Sequence, residues 1–372
     1  MPEQTKLVTV VDERLASFLF SREEAMAVIS PDLGHLADYA RNLLGNGKRF
    51  RARFCYWGWR AAQTSLDAID QVGGTETLSD IEPVVSLATS LEVFHAAALV
   101  HDDIMDNSDT RRGFASAHRS FESIHHQRGY SGGGARFGES TALLLGDLLL
   151  AWSDDLLTEA LSQQDPTVAH ATRTEFTRMR QEVTLGQYLD IHEEAAWLHT
   201  ALDERLERAL RVVTYKSAKY SMEAPLLIGA SLAGATAEVL EDLSAFGLPL
   251  GIAFQLRDDL LGVFGDSEVT GKPSGDDLRE GKRTALIALG EQSMPPGAQS
   301  LFNELLGDRS LTGEQIDVLQ STLRQTGAVE EVEALIDQYA EDALIALESA
   351  RIAPGAKKEL SRLAAAFTQR QS

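Results

Sequence analysis

Residues 91–113 read LEVFHAAALVHDDIMDNSDTRRG, a stretch in which an apolar segment meets a group of acids. An apolar stretch of helical character ends at His101 and is followed by Asp102, Asp103 and Asp106. On a helix, Asp102 and Asp106 share one face, where two like charges cost roughly a few tenths of a kcal/mol. Hard cations such as Mg²⁺ remove that cost, because they bind carboxylate oxygens and share them with substrate phosphates. Taken alone, the cluster is equally consistent with a solvated acidic helix end.

The composition is typical of a helical protein with a large core. The chain has 372 residues, of which 44% are hydrophobic. Ala, Leu, Glu and Arg are abundant, whereas continuous runs of the strand-forming residues Val, Ile and Thr are scarce. Length alone is typical of two or three domains, but this composition favours one large helical domain. We therefore predict an all-α fold over residues 1–372, in which residues 1–10 are disordered.

Charge and cysteine content argue against several classes of protein. The formal net charge is −22, which is unfavourable for non-specific nucleic-acid binding and for a polybasic contact with anionic lipid.

The single cysteine, Cys55, forms no intrachain disulfide and suits a reducing cytoplasm. The N-terminal residues lack the pattern of a signal peptide. The longest apolar runs, at 96–100, 142–145 and 148–152, are too short to span a bilayer, so we predict a cytoplasmic protein.

Hydrophobic periodicity predicts helices along most of the chain. The predicted helices cover residues 13–20, 33–44, 54–63, 82–105, 140–161, 167–196, 202–226 and 235–261, and three more complete the chain. Residues 64–79, 110–138 and 262–282 are predicted to be connections, because they are polar and rich in glycine. No alternating pattern of useful length predicts a β-strand.

A basic turn at residues 45–51 reads GNGKRFR. Glycine-bearing turns can present backbone N–H groups to an anion, and the adjacent Lys48 and Arg51 add side-chain cations. The alternative is a helix C-cap followed by an ordinary basic turn. By itself, the turn favours the second interpretation.

A second acidic pair, Asp258-Asp259, ends the predicted helix at 235–261. If this helix and the one before Asp102 are neighbours in a bundle, the two clusters face each other across its mouth. Several Mg²⁺ ions can then be held between them, bridged by a diphosphate. An ionic rim over an apolar shaft suits an amphiphile with a diphosphate head and a hydrocarbon tail.

The motifs together resemble those of a trans-isoprenyl diphosphate synthase, a member of the polyprenyl synthetase family of the actinobacterial geranylgeranyl type. The stretch DDIMD at 102–106 resembles the family's first aspartate-rich motif, and RDDLLGVFGD at 257–266 resembles the second. GKRFR, HDD, RRG, GQYLD and KS occur in the family's order and spacing, from about residue 36 onward. The resemblance implies the isoprenoid synthase fold, a helical bundle around a central apolar cavity, and Mg²⁺-dependent transfer of a prenyl group to isopentenyl diphosphate.

The resemblance also implies a role for each matched residue. The implied Mg²⁺ ligands are Asp102, Asp106 and Asp258, supported by Asp103 and Asp259. The implied isopentenyl diphosphate site consists of Lys48, Arg51, His95 and Arg112. The implied allylic site consists of Arg111, Lys216, Ser217, Gln255, Lys272 and Lys282. Gln187 and Asp190 match the GQxxD motif near the reacting centre, and the family implies three Mg²⁺ ions per site and a homodimer.

The sequence departs from the family pattern at three positions. Asn46 stands where another glycine is usual and Ala52 where proline is usual. Gly262 stands where a third Asp often completes the second motif, which leaves that cluster with one carboxylate fewer.

Product length is predicted from the residues upstream of Asp102. Bulky residues four and five positions before the first motif give fifteen-carbon products in the family, whereas this chain has Ala97 and Ala98. Phe94 lies about one turn deeper, at roughly 1.5 Å per residue, and is a candidate floor of the shaft. We predict geranylgeranyl diphosphate as the main product, with longer-chain or farnesyl products as alternatives. The other interpretation of the two alanines is close packing between helices.

Two other functions share some of these features. A class I terpene cyclase also has an Asp-rich motif on a helical bundle, but it would have an Asn/Ser/Glu metal triad in place of Asp258-Asp259 and would not need a second diphosphate site. A non-catalytic partner subunit that binds prenyl diphosphates usually lacks one Asp cluster, and this chain has both.

Overall fold

The computed structural model describes residues 3–45, 47–63, 78–265 and 274–368. Among these, residues 3–45, 47–59 and 78–173 form one compact unit, and residues 60–63, 174–265 and 274–368 form a second. The prediction of an all-α fold is confirmed, since helices account for most of the described residues. The predicted connection at 64–79 lies almost entirely outside the described residues.

The first unit is built around a long helix that is apolar on all sides. Its helices are α1 (Glu3–Ile29), α2 (Gly34–Gly45), α3 (Phe50–Ala62), α4 (Leu78–Met105), α5 (Ala117–Arg128) and α6 (Gly134–Leu161). A helix without a polar face is stable in water only when other elements cover it. α4 packs along α6, and the pair is joined where Ser90 Oγ donates to the Ser153 carbonyl oxygen at 2.8 Å.

The expected disorder of residues 1–10 is wrong for those that the structure describes. α1 begins at Glu3, and its Leu7 is 5% exposed. Leu7, Val11, Leu15 and Phe18 recur at helical spacing and are all buried. Burial of this stripe stabilises the first turns of α1, which helix propensity alone would leave frayed.

Residues 110–138 were predicted to be a connection, but they contain regular secondary structure. Thr110–Arg111 (β1) and Phe114–Ala115 (β2) form an antiparallel hairpin, which is followed by α5 and the start of α6. The two residues between the strands, Arg112 and Gly113, have φ of 53° and 83°. Positive φ at both central positions is what a two-residue type I′ turn requires, and a strand of two residues is too short to leave an alternating pattern.

The second unit contains the remaining helices. They are the later part of α7 (Pro166–Ala196), α8 (Arg205–Val212), a π-helix (Val213–Glu223), α9 (Ala224–Leu232), α10 (Ala237–Phe264), α11 (Asp276–Glu280), α12 (Ala285–Ser293), α13 (Pro296–Leu305), α14 (Gly313–Gln325), α15 (Ala328–Ser349) and α16 (Pro354–Thr368). α10 packs against α15 and the π-helix, and a single apolar cluster links α10, α12 and α14.

Two helices are long and apolar enough to span a bilayer, although the uninterrupted apolar runs of the sequence are too short to do so. By length and composition alone, residues 80–105 of α4 and the whole of α10 could cross a membrane. However, 78% of the apolar window in α4 and 50% of that in α10 is buried inside the protein. Such burial is typical of the core helices of a soluble protein.

Candidate active site

The first acidic cluster forms the C-terminal end of α4. Asp103 is 1% exposed, and Arg111 Nε donates to its Oδ1 at 2.8 Å. The side chain of Asp102 is 22% exposed and lies 3.4 Å from Arg111 Nη2, and Asp106 is half-buried one turn later. Burial disfavours the charge on Arg111, but the three carboxylates outweigh it and raise the pKa of this guanidinium. Asp103 therefore holds the hairpin arginine, while Asp102 and Asp106 share a face that can take an ion.

A group of cations surrounds His95, which lies two turns before Asp102 on α4. Burial and the charges of Arg51, Arg112 and Arg111 hold the pKa of His95 well below its ordinary value. Arg112 Nη1 donates to the carbonyl oxygen of Leu43 at 2.6 Å, which connects the hairpin turn to the end of α2. Lys48 is exposed and directly precedes Arg49 in the basic turn. The structure thus brings His95, Arg51 and Arg112 of the predicted diphosphate site together.

The neutral state of His95 predicts a pH dependence of stability. Below about pH 6.5 an unfolded histidine binds a proton that His95 in the folded protein does not bind, so stability falls as the pH drops. We expect the wild type to lose up to about 1.4 kcal/mol more per pH unit than His95→Gln between pH 6.5 and 5. Urea unfolding of both proteins at several pH values measures the difference. Parallel curves for the two proteins would contradict the assignment.

In the second unit, two ion pairs join the π-helix to α7. Lys216 donates to Asp190, and Lys219 Nζ lies 3.0 Å from Glu182 Oε1. Gly186 lies midway between the two acids, and a Cβ there would be 2.4 Å from the backbone nitrogen of Lys216. Only glycine permits this close approach. Lys216 of the π-helix and Asp190 of α7, both in the predicted site, are therefore brought into contact, and π-helical turns often occur at functional sites.

The two acids of the second cluster have different environments. Asp258 is exposed, whereas Asp259 is 8% exposed and accepts a hydrogen bond from Gln255 Nε2 at 2.7 Å. Burial raises the pKa of Asp259 to about 8, against the effect of that hydrogen bond. Asp258 is thus the solvent-accessible carboxylate, and the amide group of Gln255, a residue of the implied allylic site, contacts Asp259.

The structure also explains Gly262. A Cβ at this position would lie 1.9 Å from Asp277 Oδ2, so the carboxylate of Asp277, on α11, occupies the space next to the second cluster. The opposite oxygen of Asp277 is 3.6 Å from Lys282 Nζ. An acid that is absent from position 262 of the sequence is therefore replaced in space by one from a later helix.

The steric relation of Gly262 to Asp277 leads to a second prediction. Gly262→Asp, which restores the usual family residue, is expected to destabilise the protein by about 1–3 kcal/mol, because the new side chain overlaps a fixed carboxylate of like charge. Asp277→Ala in the same protein should recover most of that loss. Thermal and urea unfolding of the single and double variants give the comparison. A Gly262→Asp protein as stable as the parent would be inconsistent with the observed packing.

The acidic groups fit magnesium only if the substrate completes the coordination. Within the described part of the chain, no group of three or more His, Cys, Asp or Glu side chains converges on one point. Each cluster instead offers one or two accessible carboxylates. Mg²⁺ is commonly bound in this way, with one or two carboxylates plus substrate phosphates and water.

The remaining predicted residues have varied surroundings. Lys282 Nζ lies 2.9 Å from Glu280 Oε2, and Gln187 and Ser217 are half-buried. Lys272 lies outside the described residues. Phe94 is 5% exposed and Ala97 fully buried, whereas Ala98 is half-buried and lies one turn before Asp102.

Sequence reasoning missed two charged residues in this region. Arg49 and Glu92 are 3% and 4% exposed, and Arg49 Nη1 lies 3.5 Å from Glu92 Oε2. The available signal was an acid in an otherwise apolar helix, one turn before His95. Arg49 had no such signal, because it stands between two other cations in the same turn.

Comparison with known proteins agrees with this architecture. The polyprenyl synthetase family model matches residues 34–323. A short chain isoprenyl diphosphate synthase of Methanocaldococcus jannaschii is 32% identical over 238 residues, and the match spans 64% of this chain and 64% of that relative, less than two thirds of either. A geranylgeranyl diphosphate synthase of Saccharolobus solfataricus is 30% identical over 70% of each chain.

Solved structures extend the similarity to nearly the full chain. The crystal structure of a geranylgeranyl pyrophosphate synthase from Corynebacterium glutamicum, complexed with isoprenyl diphosphate and magnesium, has a TM-score of 0.89 and 39% sequence identity. The alignment covers 98% of this chain and 99% of that one. On the family match and these structural likenesses, the chain belongs to the polyprenyl synthetase family.

Proposed function

We propose that the protein condenses isopentenyl diphosphate with an allylic prenyl diphosphate, head to tail, and that geranylgeranyl diphosphate is its main product. One observation carries this proposal: α4 bears an acidic cluster at its end and a separate group of cations around His95, two turns before Asp102. We interpret these two groups of charges as two kinds of diphosphate site. One site has carboxylates for a metal-bound diphosphate, and the other has cations for a diphosphate without metal.

Isopentenyl diphosphate would be bound by Lys48, Arg51 and Arg112, with His95 as a neutral hydrogen-bond partner. Guanidinium groups hold phosphate oxygens through paired, charge-assisted hydrogen bonds, which orients the substrate as well as binding it. A neutral imidazole adds a hydrogen bond without further repulsion among the arginines. This arrangement would place the double bond of isopentenyl diphosphate for attack.

The allylic diphosphate would be bound by Arg111 and by the lysines Lys216, Lys272 and Lys282. Asp102, Asp106 and Asp258 would hold three Mg²⁺ ions, which neutralise the charge of the departing diphosphate. Ser217 and the carbonyl groups of the π-helix would face the allylic cation as dipoles without a strong nucleophile. Since no side chain stands out as the base, the released diphosphate would accept the proton. The joint action of both acidic clusters on one diphosphate is part of this proposal.

The proposed assembly is a cytoplasmic homodimer. Leu143 and Leu144 on α6 are 52% and 64% exposed, and Leu185 and Tyr188 on α7 are 62% and 63% exposed. Large apolar side chains that recur on exposed helix faces favour contact with another protein surface, here a second copy of this chain. Sedimentation of Leu144→Glu beside the wild type tests this, since the variant should be monomeric.

A single-tube assay tests the proposed reaction. The protein is incubated with radiolabelled isopentenyl diphosphate, Mg²⁺ and dimethylallyl, geranyl or farnesyl diphosphate, and the products are dephosphorylated and separated by chromatography. We expect a labelled C20 alcohol and no product when EDTA is added. Cyclic hydrocarbons from farnesyl diphosphate alone would indicate a terpene cyclase, and binding without product would indicate a non-catalytic subunit.

The assignment of the two diphosphate sites leads to a third prediction. Lys48→Ala and Arg51→Ala should raise the KM for isopentenyl diphosphate by ~10- to 100-fold, since a charge-assisted contact is worth roughly 1.5–3 kcal/mol. The KM for the allylic primer should change little. Steady-state kinetics with each substrate varied in turn measures both constants. Equal increases in the two constants would show that the basic turn does not belong to one site.

A further inference from the structure

Glu92 is a buried carboxylate at the base of the cation group. It lies in the apolar helix α4, one turn before His95, and is 4% exposed. Its Oε1 accepts a hydrogen bond from the backbone N–H of Ala52 at 3.2 Å, in the first turn of α3. Its Oε2 lies 3.5 Å from Arg49 Nη1. One carboxylate therefore contacts both the basic turn and the helix that carries Arg51.

Arg49 in turn fixes the shape of the basic turn. It is 3% exposed, its Nε donates to Asp12 Oδ1 at 2.7 Å, and Nη2 donates to the carbonyl oxygen of Leu44. A Cβ on Gly47 would be 3.1 Å from Arg49 Nη1 and 3.6 Å from Arg112 Nη1. Arg49 also has a φ of 53°, a left-handed backbone conformation that costs free energy for any residue other than glycine. The buried pair with Glu92 and the half-exposed pair with Asp12 offset that cost and hold the turn next to Arg112.

The charge of Glu92 acts on more cations than the one it contacts. Burial lowers the pKa values of Arg53 and Arg112, and the negative charge of Glu92 opposes that effect on both. Without Glu92, cations gathered for an anionic substrate would repel one another. A carboxylate placed beneath them reduces this repulsion, and its burial keeps it from competing with the substrate for the exposed faces of the cations.

We propose that Glu92 is a positioning residue for the isopentenyl diphosphate site, acting through Arg49 and the first turn of α3. The inference rests on the proposed function, because it assumes that Lys48, Arg51 and Arg112 bind that substrate. Glu92 does not touch the substrate itself. It sets the positions from which the three cations do so.

The test is Glu92→Gln, which is nearly isosteric and keeps an oxygen for the Ala52 N–H. We expect the KM for isopentenyl diphosphate to rise by ~10-fold or more, while kcat and the KM for the allylic primer stay within about twofold. Calorimetric titration of the metal-free protein with isopentenyl diphosphate, well below the unfolding temperature, should show the same loss of affinity. A purely structural role would instead lower thermal stability without separating the two substrates.

Glu291→Gln is the matched control. Glu291 is 0% exposed and accepts a hydrogen bond from Arg205 at 2.6 Å, so it is another buried carboxylate paired with arginine, but it lies in the second unit. This variant should lose stability and keep the affinity for isopentenyl diphosphate. If Glu92→Gln does not fold, Asp12→Asn replaces it as the test. Asp12 pairs with the same arginine, Arg49, but its side chain is 48% exposed. Asp12→Asn should raise the KM for isopentenyl diphosphate two- to threefold or more.

The outcomes separate this inference from the proposed function. If Lys48→Ala and Arg51→Ala weaken binding of isopentenyl diphosphate but folded Glu92→Gln does not, the role of Glu92 is overturned and the site stands. If none of the three weakens it, the assignment of the site is itself wrong, and the inference with it. An equal rise in both KM values for Glu92→Gln also overturns the positioning role.

Discussion

Asp102→Ala is expected to lower kcat by roughly 10³-fold or more, about 4 kcal/mol of transition-state stabilisation. The variant removes a carboxylate that is accessible at the end of α4 and shares a face with Asp106. In the proposed reaction, its loss leaves the charge on the departing diphosphate poorly neutralised, so ionisation of the allylic bond slows. Asp258→Ala should behave similarly, because Asp258 is the exposed acid of its own cluster.

Folding should survive both substitutions. Asp102 lies one turn from Asp106, and loss of one of two like charges at that spacing does not destabilise a helix. Steady-state turnover at saturating Mg²⁺, with circular dichroism as a check of folding, tests the prediction. Asp337→Ala, an exposed acid on α15, is the control and should keep wild-type turnover. Turnover near the wild-type value in Asp102→Ala would remove the basis for a metal site there.

Asp103→Ala should give a different result from Asp102→Ala. Asp103 is buried and holds Arg111, so its loss leaves a buried guanidinium without its main partner. Breaking a buried pair in this way typically costs about 3–5 kcal/mol. A combined loss of stability and activity therefore distinguishes the supporting acid from the accessible ones.

Product length is the second property for which we expect a large change. Ala98→Phe should shift the main product from C20 to C15, and Phe94→Ala should yield C25 or longer products. Phe94, Ala98 and Asp102 follow one another at four-residue intervals, so they share a face of α4, with about 6 Å between successive positions. That distance is close to one isoprene unit. A bulkier side chain at 98 would therefore stop the growing chain one unit earlier.

Ala97 is a less suitable position for this test than the sequence indicated. It is fully buried, so Ala97→Phe would overpack the interior of the first unit at a cost of about 1–3 kcal/mol, whatever its effect on the product. Ala98 is half-buried, so a larger side chain there does not have to fit entirely into the packed interior. Chromatography of the dephosphorylated products from Ala98→Phe and Phe94→Ala measures chain length directly. Unchanged products in both variants would mean that other residues set the limit.

The sequence alone was sufficient to predict the class of fold, and it also supplied a hypothesis for the chemistry of the site. Helical periodicity and composition depend on local propensity and on burial of apolar faces, and both can be read residue by residue. The acidic motifs are short and local, so Asp102, Asp106 and Asp258 could be proposed as metal ligands from spacing and from the family resemblance. Short elements such as the hairpin at 110–115 were not predicted, because strands of two residues are too short to show a hydrophobic period.

Only the tertiary structure decided which charges are buried and which residues lie close in space. Of Glu92, Arg49 and Asp277, only Glu92 had a signal, as an acid in an otherwise apolar helix. The partners of these three residues could not be inferred from the sequence, because packing between different elements sets them. The same is true of Gly186, whose importance depends on the backbone of the π-helix that packs against it. Burial and close approach are set by packing between helices, and the free energy of a charge depends on that packing far more than on its neighbours in sequence.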